Sequence, residues 1–160
     1  MLKIGIIDRS KETITEELLQ SLVASLSMEI CYDACQPLDI LIVNKIPDAS
    51  IPCVQSFPRI IIANSDDKGV LRFVSSMHAQ IITYGFNSKA AITASSHIDD
   101  GSYVICVQRA MTDIHGEPIL PREFSVDIDN YKGSSEPMMA AIAAALICGV
   151  NFEYSALKQK

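Results

Sequence analysis

Lys11 and Thr13 stand in the turn IDRSKET, which follows the apolar stretch LKIGIID and precedes ITEELLQSLV. A lysine and a hydroxyl between a strand and a helix are residue types that hold a phosphate. The ammonium reaches the outer phosphate oxygens, the hydroxyl ligates Mg²⁺, and the N–H groups opening the helix point at the anion. Such a cradle also needs glycines, because only a backbone without Cβ atoms wraps the anion closely. Here Gly5 remains, but Asp8 and Ser10 occupy glycine positions and the loop is one residue short. The Mg²⁺-binding hydroxyl belongs directly after the lysine, and Glu12 stands there with Thr13 one residue beyond; a carboxylate at that place repels a triphosphate unless a metal intervenes. The competing reading makes Lys11 a solvated residue in the first turn of a helix.

A second constellation is NSDD, with Asn64, Asp66 and Asp67 after the apolar run PRIIIA. Ligands of open α/β sheets bind beyond the carboxyl ends of strands, so these groups are placed to hold a cation. The same four residues also spell a turn followed by a helix cap. Cys31 and Cys35 are spaced like helix neighbours, but no histidine accompanies them, which argues against zinc. His78, His97 and His115 fall in separate elements. Ser95, Ser96 and His97 are adjacent, yet nothing supplies the remote base and oxyanion hole of a catalytic serine. Glu136 and Asp127 read as solvated residues rather than a catalytic pair.

The elements that position these residues follow from hydrophobic periodicity. Residues 2–7 form a buried strand, and Ser10 is a candidate N-cap for a helix over 11–26. Ile14, Leu18, Leu19, Leu22 and Val23 share one face of that helix, and Glu12, Glu16 and Glu17 sit in its first half, where the helix dipole favours negative charge. A short strand is expected over 28–33, apolar strands over 38–43 and 58–63, a loop over 46–57, a helix over 67–76 and a strand over 79–84. Apolar strands alternating with helices imply a largely parallel sheet covered on both faces. From residue 90 the pattern turns to period two, with turn signals at DDG (99–101) and HGEP (115–118), and predicts a small antiparallel subsheet over 90–130. The alanine-rich helix at 136–150 is apolar all round and therefore buried, with Pro137 in its first turn and Gly149 at its end. The expectation is one α/β domain over 1–160, with a parallel part at 1–85, the meander at 90–130 and the buried helix at 136–150.

Composition narrows the function classes. The chain has 160 residues, 49% of them hydrophobic and 20% charged, and a net charge of −6; its mean hydropathy is +0.23 and its pI about 4.9. This is a chain that builds a core, and its acidity argues against nucleic acid or anionic membranes as partners. The longest apolar run, 137–150, is too short to cross a bilayer. The strand-like opening carries no secretory pattern, and five cysteines, an odd number, fit reduced thiols. A cytoplasmic location is expected.

The order of these parts resembles the central, ATP-binding domain of the Mur ligase family, which includes the folylpolyglutamate synthases. IGIIDRSKETITEELLQSLV (4–23) resembles the family's strand–P-loop–helix, and IIIANSDDKGVL (60–71) its strand ending in N-x-D-D. IITYGFNSKAAITASSHIDDGSYVICV (81–107) is similar to its T-[FY]-G-F strand and the subsheet that follows. MMAAIAAALICGV (138–150) resembles its alanine-rich helix. The resemblance covers most of the chain. It implies nucleotide- and phosphate-binding positions at Lys11, Thr13, Asn44 (Val43–Asn44 for the family's T-N), Asn64, Asp66 and Asp67.

The departures bear on activity. The interval before NSDD is short and lacks the family's D-H motif, and YKGSSEPMM replaces its adenine-holding asparagine segment. The family's substrate and C-terminal domains have no counterpart here, and ligation needs all three parts to bring acyl phosphate and amine together. The expectation is a non-catalytic Mur ligase-like scaffold or interaction module with no catalytic residue, no metal and no cofactor. Its formerly covered surface would meet a second copy or a protein partner, in the setting of cell-wall or spore-envelope synthesis. The alternative is an atypical nucleotide- or phosphate-binding protein, a weak NTPase or one subunit of a split ligase, and only that reading takes ATP and Mg²⁺.

Overall fold

The computed structural model describes residues 1–8, 14–24, 26–31, 36–46, 54, 57–97, 102–127 and 134–152. Four continuous apolar runs become parallel strands: β1 (Leu2–Asp8), β3 (Ile40–Lys45), β4 (Ile60–Asn64) and β5 (Gln80–Tyr84). The short β2 (Met28–Cys31) pairs parallel with the outer side of β1. The period-two segments become β6 (Ile92–His97), β7 (Ser102–Val107) and β10 (Arg122–Asp127). They do not form a separate layer. β6 pairs parallel with β5, and β7 and β10 follow antiparallel, so one eight-stranded sheet runs β10-β7-β6-β5-β4-β3-β1-β2. Met111–Thr112 (β8) and Pro118–Ile119 (β9) form a separate two-stranded ribbon around the HGEP turn. The fold is α/β, a mostly parallel sheet flanked by helices with a small antiparallel part.

Both faces of the central strands are buried, which is why their sequences read as unbroken apolar runs. Ile40, Ile42, Ile60, Ile62 and Ile82 point to one face, and Leu41, Val43, Ile61 and Ala63 to the other. The first face is covered by α1 (Ile14–Leu22) and α3 (Ser135–Ile147), which pack on each other. The second is covered by α2 (Lys68–Val74) through Val70 and Val74. This division follows from the chirality of parallel crossovers. The β1–α1–β2 connection moves toward one edge and β4–α2–β5 toward the other, so their helices fall on opposite faces.

α3 is buried from Pro137 to Ile147. Its alanines let a helix lie close to the sheet and to α1 at once. It runs antiparallel to the strands it covers. Glu136 in its first turn reaches Lys45 at the carboxyl end of β3, at 3.6 Å. The Ile147 carbonyl, at its other end, accepts from Ile114 N. The Ile114 carbonyl accepts in turn from Nη2 of Arg59, just before β4 begins. No helix among the described residues is long and apolar enough to cross a membrane.

Candidate functional site

The order β2-β1-β3 makes the boundary between β1 and β3 a topological switch point. Connections leave it in opposite directions, and in open α/β sheets ligands bind beyond the carboxyl ends of the strands at such a point. Asp8 ends β1 there, after an irregularity between Ile7 and Asp8, and is in register with Lys45 of β3. Lys11 and Thr13 lie outside the described residues. Gly5 lies in the middle of β1, beside Leu41 and Cys31, so it is not part of the turn. A Cβ on Gly5 would stand 2.6 Å from Leu38 Cδ1, and this glycine makes room for that leucine rather than for an anion.

Asn44 is the hub of the polar groups at this end of the sheet. Its Nδ2 donates to Asp8 Oδ2 at 3.0 Å. Its Oδ1 accepts from the Tyr84 hydroxyl at 2.6 Å and from Asn64 Nδ2 at 3.3 Å. Asn64 Nδ2 also donates to the Asn44 carbonyl at 3.2 Å. Asn64 Oδ1 accepts from Asp66 N at 3.0 Å and closes the turn after β4. Both asparagines are 1% exposed. Buried amides of this kind persist only when every group finds a partner, and here they find one another. Tyr84 follows the side-chain parity of Ile82, so its ring lies in the core under α3 while its hydroxyl reaches the network.

The two aspartates of NSDD have separate duties. Asp66 clasps the turn after β5. Its Oδ2 accepts from Phe86 N at 2.6 Å, and its Oδ1 accepts from Asn87 N at 3.2 Å and from Asn87 Nδ2 at 2.8 Å. Asn87 Nδ2 also donates to Ser65 Oγ, which itself donates to the Tyr84 carbonyl. Desolvation pushes the Asp66 carboxyl up, but the hydrogen bonds from Asn87 and from the Phe86 and Asn87 amides outweigh it and hold its pKa below the usual value. Gly85 is the residue that lets this turn close: its φ is +153°, and a Cβ there would meet the Asp66 carboxylate at 2.8 Å. Asp67 is the N-cap of α2, and its Oδ1 accepts from Gly69 N at 2.8 Å and Val70 N at 3.1 Å. NSDD forms the turn and helix cap that its residues spell.

The described charges around Tyr84 at this end of the sheet are mostly negative. Burial, first of all, and then the charges of Asp8, Glu136, Asp66 and Asp67 push the Tyr84 hydroxyl well above the ordinary tyrosine pKa, so it remains a proton donor to Asn44. Among the described residues Lys45 supplies a counter-charge, bridged to Glu136 with its side chain 45% exposed. Among the described residues no three His, Cys, Asp or Glu side chains converge to hold a metal ion.

The structure therefore joins Asn44, Asn64 and Asp66 through a continuous chain of hydrogen bonds, and sets Asp67 apart at the start of α2. Sequence reasoning missed Tyr84, Lys45 and Asn87. An aromatic ending an apolar strand just before glycine, and a lysine directly after a buried asparagine, were the available signals. No protein-family model and no curated protein matches this chain.

Proposed function

We propose that the protein is a non-catalytic α/β scaffold, built on the plan of a Mur ligase central domain, that acts through its surface on a second copy or a protein partner. The observation that carries this reading is the employment of the candidate site residues. Asn44, Asn64 and Asp66 make hydrogen bonds to one another, to Asp8, Tyr84 and Asn87 and to backbone turns, and Asp67 caps α2 through Oδ1. A working phosphate site keeps such groups directed at the ligand; this one has turned them inward to hold the carboxyl ends of the strands together. The surface available to a partner includes the sheet face opposite α3 beyond β5. There Ile81, Thr83, Thr93, Val104 and Cys106 are exposed or half-buried. The link to wall or spore-envelope synthesis follows from the family resemblance alone.

A second reading is favoured by one observation: Asp8 and Lys45 stand side by side at the switch point, both partly open to solvent. An atypical nucleotide- or phosphate-binding protein would use that end of the sheet with Lys11. Titration calorimetry with Mg²⁺-ATP and Mg²⁺-ADP, on the native chain and on Lys11→Ala, separates the two readings, with sedimentation velocity run on the same samples. Absence of heat at millimolar nucleotide together with concentration-dependent association supports the scaffold. Micromolar binding abolished by the substitution overturns it and establishes the nucleotide reading.

A further inference from the structure

β10 (Arg122–Asp127) is the outermost strand at one end of the eight-stranded sheet. Its register with β7 is unbroken, from Arg122 opposite Val107 to Asp127 opposite Ser102. Among the described residues β7 is the one strand paired with it. The N–H and C=O groups on the far side of an edge strand form a template for a further strand. β2, at the opposite edge, offers four residues, and β10 offers six.

The side chains of β10 alternate. Phe124 and Val126 are buried in the core on the α3 side, and Phe124 stacks on Phe152 with ring centres 5.2 Å apart. The strand is therefore anchored through one face. Glu123, Ser125 and Asp127 are exposed on the other. Glu123 lies opposite Cys106 in the register. Burial first, and then the Glu123 charge, pushes the Cys106 thiol above its ordinary value. Two carboxylates, four residues apart, thus stand on one face of the edge.

Those charges select the occupant. A second copy pairing through β10 about a two-fold axis keeps both sheets the same way up, so its register centres on a residue. Centred on Ser125, Glu123 of each copy lies opposite Asp127 of the other. Centred on Phe124, Glu123 lies diagonal to both carboxylates of the other copy. Like charges so placed repel. A strand carrying cations at those places gains what a second copy loses.

We infer that β10 takes up an extended segment of a partner protein as a further strand, with Lys or Arg at positions i and i+4 and β-branched apolar residues at i+1 and i+3. The two cations lie beside Glu123 and Asp127, and the apolar pair continues the rows of Phe124 and Val126. The pattern reads the same from either end, so it serves parallel and antiparallel addition alike. The inference rests on the reading of the chain as a scaffold that meets a protein partner, and it names the chemistry of that partner.

The test is fluorescence anisotropy of labelled peptides with the full chain at low salt, where surface charges are least screened. The peptides contain Lys-Val-Thr-Val-Lys, Glu-Val-Thr-Val-Glu or Lys-Val-Pro-Val-Lys. The expected result is saturable binding of the first at about 100 µM or below. The glutamate peptide binds at least about tenfold more weakly, and the proline peptide, which cannot complete the ladder, does not bind. Hydrogen exchange slows at the amides of residues 123–127 when the first peptide is bound. Glu123→Lys combined with Asp127→Lys, a change at two exposed side chains, reverses the preference between the first two peptides. No binding of the lysine peptide at about 1 mM, equal affinity for the lysine and glutamate peptides, full affinity for the proline peptide, or an unreversed preference in the double variant would each overturn strand addition. Nucleotide titration judges the scaffold reading separately. A silent peptide without nucleotide heat strikes out the strand and leaves the scaffold, whereas micromolar nucleotide binding strikes out the scaffold itself.

Discussion

The Tyr84 hydroxyl donates to Asn44 Oδ1 at 2.6 Å, passing over β4 to join two strands that are not neighbours in the sheet. With Asn64 beneath it, this bond makes the carboxyl ends of β3, β4 and β5 one polar unit under α3. Replacing Tyr84 by phenylalanine keeps the ring in the core and leaves Asn44 Oδ1 with its weaker partner, Asn64. The expected cost is about 1–2 kcal/mol, read as a lower urea midpoint with unchanged slope. Asn44→Leu strands the Tyr84 hydroxyl and takes a donor from Asp8, while Asn64 keeps the backbone carbonyl of residue 44, and it costs more, about 3 kcal/mol. Equal stability of Tyr84→Phe and the native protein would mean the network is ornamental.

Gly85→Ala places a Cβ on a residue at φ +153° and drives it into the Asp66 carboxylate at 2.8 Å. The loss is expected to be about 1–3 kcal/mol. Much of it is steric, so Asp66→Ala relieves it. In a double-mutant cycle the two losses fall short of additivity by at least about 0.5 kcal/mol. Strict additivity would remove Asp66 as the cause.

The Asp66 clasp predicts an acid-side dependence. Its pKa in the folded chain lies below the ordinary carboxylate value. Its contribution is therefore complete above the unfolded pKa and is lost as pH falls through the folded one. A series of urea midpoints from neutral pH down to about pH 2 should show Asp66→Ala converging on the native protein at the acid end and separating from it above about pH 4. A constant difference across the series would contradict the assignment.

Cys148 is buried behind the last turn of α3. Burial foremost, with the Asp113 charge adding to it, pushes its thiol up to about 11. At pH 8 about one part in a thousand is then thiolate, the reactive form. Site-resolved mass spectrometry after alkylation should find Cys148 unmodified in the native protein while the half-buried Cys106 is already labelled, and modified only once the chain is unfolded. Early labelling of Cys148 would show that the end of α3 opens.

The main elements were legible because their physics is local. Ile40–Val43 and Ile60–Ala63 are apolar on both faces, which only a doubly covered strand requires. Asp67, two and three residues ahead of the amides it caps, announced α2. The continuous apolar surface from Pro137 to Ile147 announced a buried helix. The strand order was not legible, since it depends on pairings across tens of residues, and neither was the join between β5 and β6 that merges the meander into the main sheet. The two-residue β8 carries too few side chains to show a period. The candidate residues of NSDD were visible as groups able to take a ligand or a turn, but which of these they serve is decided by Tyr84 and Asn87, some twenty residues away. Asn44 bonds with groups on β1, β4 and β5, and no window along the chain contains them together.

α3 is the last helix described, yet it covers the strands formed first and packs on α1, more than a hundred residues earlier in the chain. While the chain emerges amino-terminus first, Ile40, Ile42, Ile60, Ile62 and Ile82 have only α1 on that side until α3 has appeared. The nascent sheet must pass through a stage with a wide apolar face, open to chaperones or to other unfinished copies, and sheets closed by such distant contacts fold slowly. How long that face stays open is therefore set by how promptly α3 docks.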